Sequence, residues 1–146
     1  MNTELKFKRL DAKAQAPRKA HPADAGYDLT CTMVECDANS NIVTYHTGLS
    51  FEIPNGYVGL LFARSSIYKT GQSVCNSVGV IDSNFRGEVM LKTYLADNEV
   101  NNRIVYKEGE RCCQLVILKL PEFKIVEAAE LSKSDRGTQG YGSTGA

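Results

Sequence analysis

The apolar residues of this chain fall in short runs, and glycine, proline, asparagine or aspartate breaks the pattern roughly every 8–12 residues. That rhythm fits strands and leaves little room for helices. Leu5 and Phe7 alternate with Lys6 and Lys8, the pattern of a half-buried strand. Residues 42–45 (IVTY) and 48–53 (GLSFEI) read as short strands, and 54–56 (PNG) as the turn before a buried strand at 57–63 (YVGLLFA). Further strands are expected at 87–96 (GEVMLKTYLA), 102–106 (NRIVY), 112–120 (CCQLVILKL, ended by Pro121) and 123–128 (FKIVEA). Only 65–70 (SSIYKT) invites a helical turn, and the polar stretch 32–41 reads as a long loop or hairpin. The expectation is an all-β fold, a sandwich, jelly roll or barrel, in one domain of 146 residues.

Lys plus Arg equal Asp plus Glu at 17 each, so the formal net charge is zero. A general nucleic-acid or membrane-surface binder would need a basic excess. No apolar run approaches the ~18 residues of a membrane span. The opening MNTELKFKRL has no apolar segment behind its charges, so no signal peptide is expected. With it comes the expectation of an intracellular protein, cytoplasmic or nuclear. The five cysteines are an odd count that fits a reducing compartment. Of the adjacent Cys112 and Cys113, only one is expected to face a given side of its strand. No CxxC pair occurs, and His21 and His46 do not sit at metal-ligand spacing to any cysteine, so no zinc site is expected.

Glycine and polar residues gather in loops, where a β fold carries its chemistry. In DAGYDL, Asp24 and Asp28 flank a glycine; they either form a turn or hold magnesium, directly or through water. In ARSSIYKTG, Arg64 precedes two hydroxyls; these either cap the helical turn or line a phosphate. In NSVGVIDSNFRGE, Asp82 follows an apolar run at the tip of a hairpin, either starting a turn or activating a water. Phe85 in the same stretch folds under the hairpin or stacks on a ring. Gln114 in GERCCQ interrupts an apolar strand, and its amide needs a structural or a ligand partner. The last stretch, DRGTQGYGSTGA, has Gly137, Gly140, Gly142 and Gly145 and nothing to pack. It is either a frayed tail or a phosphate wrap in which Arg136, Ser143 and Thr144 supply donors.

Taken in order, AGYDL, ARSSIYKTG, NSVGVIDSNFRGE, GERCCQLVI and RGTQGYGSTG resemble the five motifs of the trimeric dUTPase family, from residue 25 to the end. The resemblance implies a jelly-roll-like β-barrel or sandwich with one short helix. Residues 1–134 would form the β domain and 135–146 a flexible arm. The family assembles as a homotrimer with active sites shared between subunits, the arm closing over a neighbouring site. The implied reaction takes dUTP to dUMP and pyrophosphate, which keeps uracil out of DNA and supplies dUMP for dTMP synthesis. Asp82 matches the catalytic residue that activates water for in-line attack on the α-phosphorus. Mg2+ would ride mainly on the triphosphate, with Asp28 reaching it through water. Arg64, Ser65, Ser66 and Gln114 match phosphate-binding positions. Asn76 and the backbone of Gly79, Val80 and Ile81 match the uracil reader, and Phe85 the ring that packs under deoxyribose and excludes a 2′-hydroxyl. In the arm, Arg136, Ser143 and Thr144 match γ-phosphate contacts, Gly140 and Gly142 substrate-binding positions, and Tyr141 the ring over uracil. The implied partners are dUTP and the other subunits, with no nucleic acid and no membrane.

Four positions depart from the family pattern: Ala63 stands for a proline, Asn84 for an aspartate, Phe85 for a tyrosine and Tyr141 for a phenylalanine. None removes a ligand, though Phe85 forgoes any bond of a tyrosine hydroxyl. The related dCTP deaminases need a glutamate ten residues after the third-motif Asp; here that position is Lys92, which cannot shuttle the protons. The alternative is a dUTPase-like nucleotide-binding protein that acts mainly as a regulator of a protein partner. A plain jelly-roll binding module would leave the five motifs a coincidence.

Overall fold

The computed structural model describes residues 4–37, 39–95 and 105–140. Within them lie ten strands: β1 Lys6–Arg9, β2 Tyr27–Thr30, β3 Met33–Asp37, β4 Ile42–His46, β5 Leu49–Glu52, β6 Tyr57–Ala63, β7 Gln72–Val74, β8 Gly79–Ile81, β9 Met90–Leu95 and β10 Arg111–Lys119. A 3₁₀ helix occupies Ser65–Thr70, where the sequence invites a turn. One sheet runs β2-β10-β6-β8, a second β3-β4-β9-β7, and β1 pairs with β5 in a ribbon. Every pairing between these strands is antiparallel.

The sheets close on one core. Leu29, Leu61 and Leu115 from the first meet Val43, Tyr45 and Leu91 from the second in a single buried cluster, with Leu49 and Phe51 from β5. Each such side chain contributes about 1.5–3 kcal/mol by leaving water. The strand expected at 87–96 forms over Met90–Leu95 as β9, in which Leu91 and Thr93 point inward and Met90, Lys92 and Tyr94 outward. In the second sheet's core, buried polar groups pair with one another: Tyr45 OH donates to Gln72 Oε1 at 3.0 Å, and Thr93 Oγ1 donates to the same oxygen. Burial pushes the Tyr45 hydroxyl up to about 12.

From β6 onward the chain alternates between the sheets: β6 in the first, β7 in the second, β8 back in the first, β9 in the second. These crossings are the jelly-roll feature of the fold. They place segments 75–78 and 82–89 across one opening of the sandwich.

Three expectations change. Residues 123–128 form no strand; Phe123 is 77% and Ile125 92% exposed, so the segment finds no sheet edge among the described residues. Cys112 and Cys113 are both fully buried, because a register shift between Arg111 and Cys113 bulges β10 and turns both side chains inward. The hydroxyls of Ser65 and Ser66 do not cap the helix; Arg64 holds that position with extended backbone and no side-chain cap bond. The expected strand at 102–106 lies partly outside the described residues, and Val105 and Tyr106 are not in a strand. All five cysteines are free. No helix of the described residues is long and apolar enough to cross a membrane.

Candidate active site

Two groups of polar residues stand at separate places on the first sheet. The first forms where β2, β10 and the end of β6 lie side by side. Asp28 sits opposite Gln114, and Gln114 opposite Phe62. Arg111 Nη1 donates to Asp28 Oδ2 at 2.9 Å, and Arg64 Nε stands 3.8 Å from Asp28 Oδ1. Arg64 Nη1 also donates to the Arg111 carbonyl at 3.1 Å, so Arg111 grips one partner with its side chain and the other with its backbone. Gln114 Nε2 donates to the Ala63 carbonyl at 3.2 Å, which fixes the amide at the β6 end. A Cβ at position 26 would come within 2.8 Å of Gln114 Oε1, so only glycine lets the turn lie against that amide. Ser66 Oγ pairs with Tyr106 OH at 2.9 Å, while Ser65 is exposed. The first helical turn carries no acidic residue.

The second group surrounds a cavity of about 370 Å3 at the opening of the sandwich. Asn76, Gly79, Val80, Ile81 and Phe85 all line it, together with Cys75, Glu88 and the Met90–Lys92 stretch of β9. One wall is a strained three-residue turn: Val78 N donates to Asn76 O at 2.6 Å, and Ser77 between them has φ 61°. The other is the free edge of β9. β7 ends at Val74, opposite Thr93, and Cys75 N then donates to Lys92 O at 3.0 Å. By the alternation of an extended strand, the N–H and C=O of Met90 point to that same edge, beyond the end of β7 and toward the cavity. A flat heterocycle with donors and acceptors on its rim can take the place of the missing strand.

Asp82 is exposed and follows Ile81, the last cavity-lining residue of β8. It opens a turn, its carbonyl accepting from Phe85 N at 3.1 Å, which leaves the carboxylate free of that task. Arg86 Nη1 donates to the Ser83 and Phe85 carbonyls at 2.6 and 2.9 Å and stiffens the loop. The Phe85 ring lies on Gly87, where a Cβ would come within 2.6 Å of Cζ. Glu88 ties down the far end: Oε1 accepts from Gly48 N at 2.8 Å, and Oε2 faces His46 Nδ1 at 3.1 Å. His46 Nε2 stands 3.2 Å from Glu35 Oε2, outside hydrogen-bond geometry. Burial works against charge on His46, yet the carboxylates of Glu88 and Glu35 outweigh it and raise its pKa.

Register measures the distance between the groups. Asp28 lies in the row Asp28–Gln114–Phe62, and Asp82 follows Ile81, which is opposite Gly59. With strands about 4.8 Å apart and about 3.3 Å of rise per residue, the two carboxylates are roughly 20 Å apart in one chain. In the arm, Arg136 donates to the carbonyls of Gln139 and Gly140 at 2.9 and 3.2 Å, and all of 136–140 is exposed. Tyr141, Gly142, Ser143 and Thr144 lie outside the described residues. Sequence reasoning missed Arg111, the edge of Met90 and the cavity position of Lys92. An arginine next to two apolar cysteines was a signal for the first; the other two depend on where β7 stops.

Comparison with known proteins bears on the same residues. The model of the dUTPase family matches residues 12–145. The deoxyuridine 5′-triphosphate nucleotidohydrolase of Nocardia farcinica is 36% identical, over 97% of this chain and 85% of its own length. That of Corynebacterium glutamicum is 38% identical, over 97% and 94%. Among solved structures, the dUTPase of Staphylococcus bacteriophage 80alpha with dUPNHPP superposes with a TM-score of 0.84 at 26% identity, covering 99% of this chain and all of that one. A match that runs from before Asp28 into the glycine-rich arm, on a fold that superposes over its whole length, places this chain in the dUTPase family.

Proposed function

We propose that this chain hydrolyses dUTP to dUMP and pyrophosphate by in-line attack of an Asp82-activated water on the α-phosphorus. The observation that carries this reading is the cavity itself: Asn76, Gly79, Val80, Ile81 and Phe85 line one space, and Asp82 follows directly on its wall. The free edge of β9 offers uracil the pairing a strand would. Phe85, held over Gly87, packs under the deoxyribose and leaves no room for a 2′-hydroxyl. Asp82, exposed at the end of the wall, accepts a proton from the water as its oxygen attacks. Arg64, Ser65, Ser66 and Gln114 receive the phosphates, and the arm, through Arg136, Gly140, Tyr141, Gly142, Ser143 and Thr144, closes over them.

The residues present fit a cation brought in by the substrate. Among the described residues no group of three His, Cys, Asp or Glu could hold a metal. Asp28 is already paired with Arg111 and Arg64, which leaves it able to orient a coordinated water and not to replace one. Mg2+ on the triphosphate would offset charge at the phosphates.

The separation of Asp28 from Asp82 supports a homotrimer with shared sites. Two groups roughly 20 Å apart cannot serve one phosphorus, so the phosphate group of one subunit would face the cavity of another. The exposed segment 123–128, with strand-forming residues and no strand partner among the described residues, is suited to cross between subunits. The regulatory alternative gains nothing from these residues, since each has a task in turnover.

The test is pyrophosphate release from dUTP by wild type and Asp82→Asn. Turnover should fall at least about a thousandfold, while dUTP binding stays within about threefold. Near-normal turnover of the variant would remove Asp82 from its role.

A further inference from the structure

We propose that Lys92 is a specificity-determining residue of the base cavity, its ammonium favouring a pyrimidine with a carbonyl at C4 over one with an exocyclic amine. The inference rests on the reading of that cavity as the nucleoside site. Lys92 lines it beside Leu61, Val80 and Leu91, in a wall that is otherwise mostly apolar. The cavity's carboxylate, Glu88, is committed to Gly48 N and His46. Lys92 makes no ion pair among the described residues. It is therefore a cation with an unspent donor in a cavity whose other strong side-chain donor is the neutral amide of Asn76.

Its place along the cavity sets which atom it meets. Along the cavity, Met90 opens β9 after the loop that carries Phe85, and Lys92 lies two residues further on, where its carbonyl accepts from Cys75 N at 3.0 Å. Lys92 and Cys75 thus mark the end opposite Phe85. Burial pushes the Cys75 thiol up and the Lys92 ammonium pulls it back, so the charge is felt at that end. A pyrimidine whose sugar rests on Phe85 points C4 the other way, because C4 lies across the ring from N1. Uracil presents O4 there, an acceptor for the ammonium. Cytosine presents an amino group, which turns hydrogens toward a cation and has nothing to accept with.

The experiment measures dUMP and dCMP binding by calorimetry to the full chain, for wild type, Lys92→Met and Lys92→Arg. Pyrophosphate release from dUTP and dCTP is followed in parallel. Because Lys92 is exposed on its strand, both variants should fold, and a thermal melt checks that. Lys92→Met should weaken dUMP about tenfold and leave dCMP within about twofold, with the loss in turnover appearing in KM for dUTP and not in kcat. Lys92→Arg should restore most of the preference. An unchanged dUMP-to-dCMP ratio in Lys92→Met, an arginine variant no better than methionine, or a wild type that binds neither monophosphate overturns the proposal. A wild type that binds dUMP selectively yet releases no pyrophosphate from dUTP overturns the reaction instead, and the monophosphate ratio still decides Lys92.

Discussion

Asp28 is held by two arginines, and the stronger hold belongs to a residue that touches no expected ligand. Arg111 reaches Asp28 at 2.9 Å and supplies the carbonyl that accepts from Arg64. Arg111→Met keeps the backbone acceptor and removes the grip. Asp28 is then left with Arg64 at 3.8 Å and free to turn. We expect about a tenfold loss in kcat/KM for dUTP, moderated by the partial exposure of Arg111, with little change in melting temperature. A second residue-scale prediction concerns His46. Its folded pKa is raised above the ordinary value, so the charged form stabilises the fold. That contribution is complete below about pH 6.5 and is lost as pH rises through the folded pKa. The melting temperature should fall modestly across that window, and His46→Gln should flatten the fall; a flat wild-type profile would show that His46 does not couple to folding. Of these residues, Asp28, Arg64 and Asp82 stood out in the sequence as polar side chains beside glycine-rich or turn-forming stretches, and Gln114 as an amide inside an apolar strand. Arg111 was not, since its importance lies in a bulge that no periodicity reveals.

At the scale of elements, strands with a visible apolar pattern were legible, the short β1, β4 and β5 among them, and β2, β7 and β8 were not. β6 falls on its expected residues because a continuous apolar run between two breakers leaves little choice. β7 and β8 have three residues each, too few for a period to register. Burial of β3 residues is slight, so its sequence left loop and hairpin open, and the hairpin is what forms: β3 pairs along its whole length with β4. Segment 123–128 fails in the opposite way: its residues prefer a strand, but a strand needs an edge. The loop from Asp82 to Glu88 shows what an element does for the site. It is fixed at one end by β8 and at the other by Glu88, and between them Phe85 rests on Gly87. Gly87→Val would push the ring off, and since Phe85 is 42% exposed the ring can swing into solvent at small cost. Stability should drop by less than about 1 kcal/mol. The preference for dUTP over UTP should shrink clearly, because the ring no longer guards the sugar. Equal selectivity in the variant and the wild type would separate Phe85 from sugar discrimination.

The whole molecule poses the strongest test, because the proposed active site is divided between chains. Asp28 and Asp82 are roughly 20 Å apart by register, and the described residues of the arm, 135–140, are all exposed. If sites are shared, damage to different parts of different chains should be repairable by mixing. Asp82→Asn leaves an intact arm, and deletion of 137–146 leaves an intact Asp82; each protein alone should be nearly inactive, and neither change touches the core cluster. In trimers assembled at random from equal amounts of both, a site that draws its carboxylate and its arm from different subunits has both intact about one time in four. Co-expressed or co-refolded subunits should therefore recover about a quarter of wild-type turnover per site. If each chain used its own carboxylate and its own arm, every site would carry one defect and mixing would recover nothing. Ile125→Asp in both partners supplies the control: a charge on the exposed segment should impair assembly without disturbing the β-sandwich, and the recovery should fall with the trimer population seen by sedimentation.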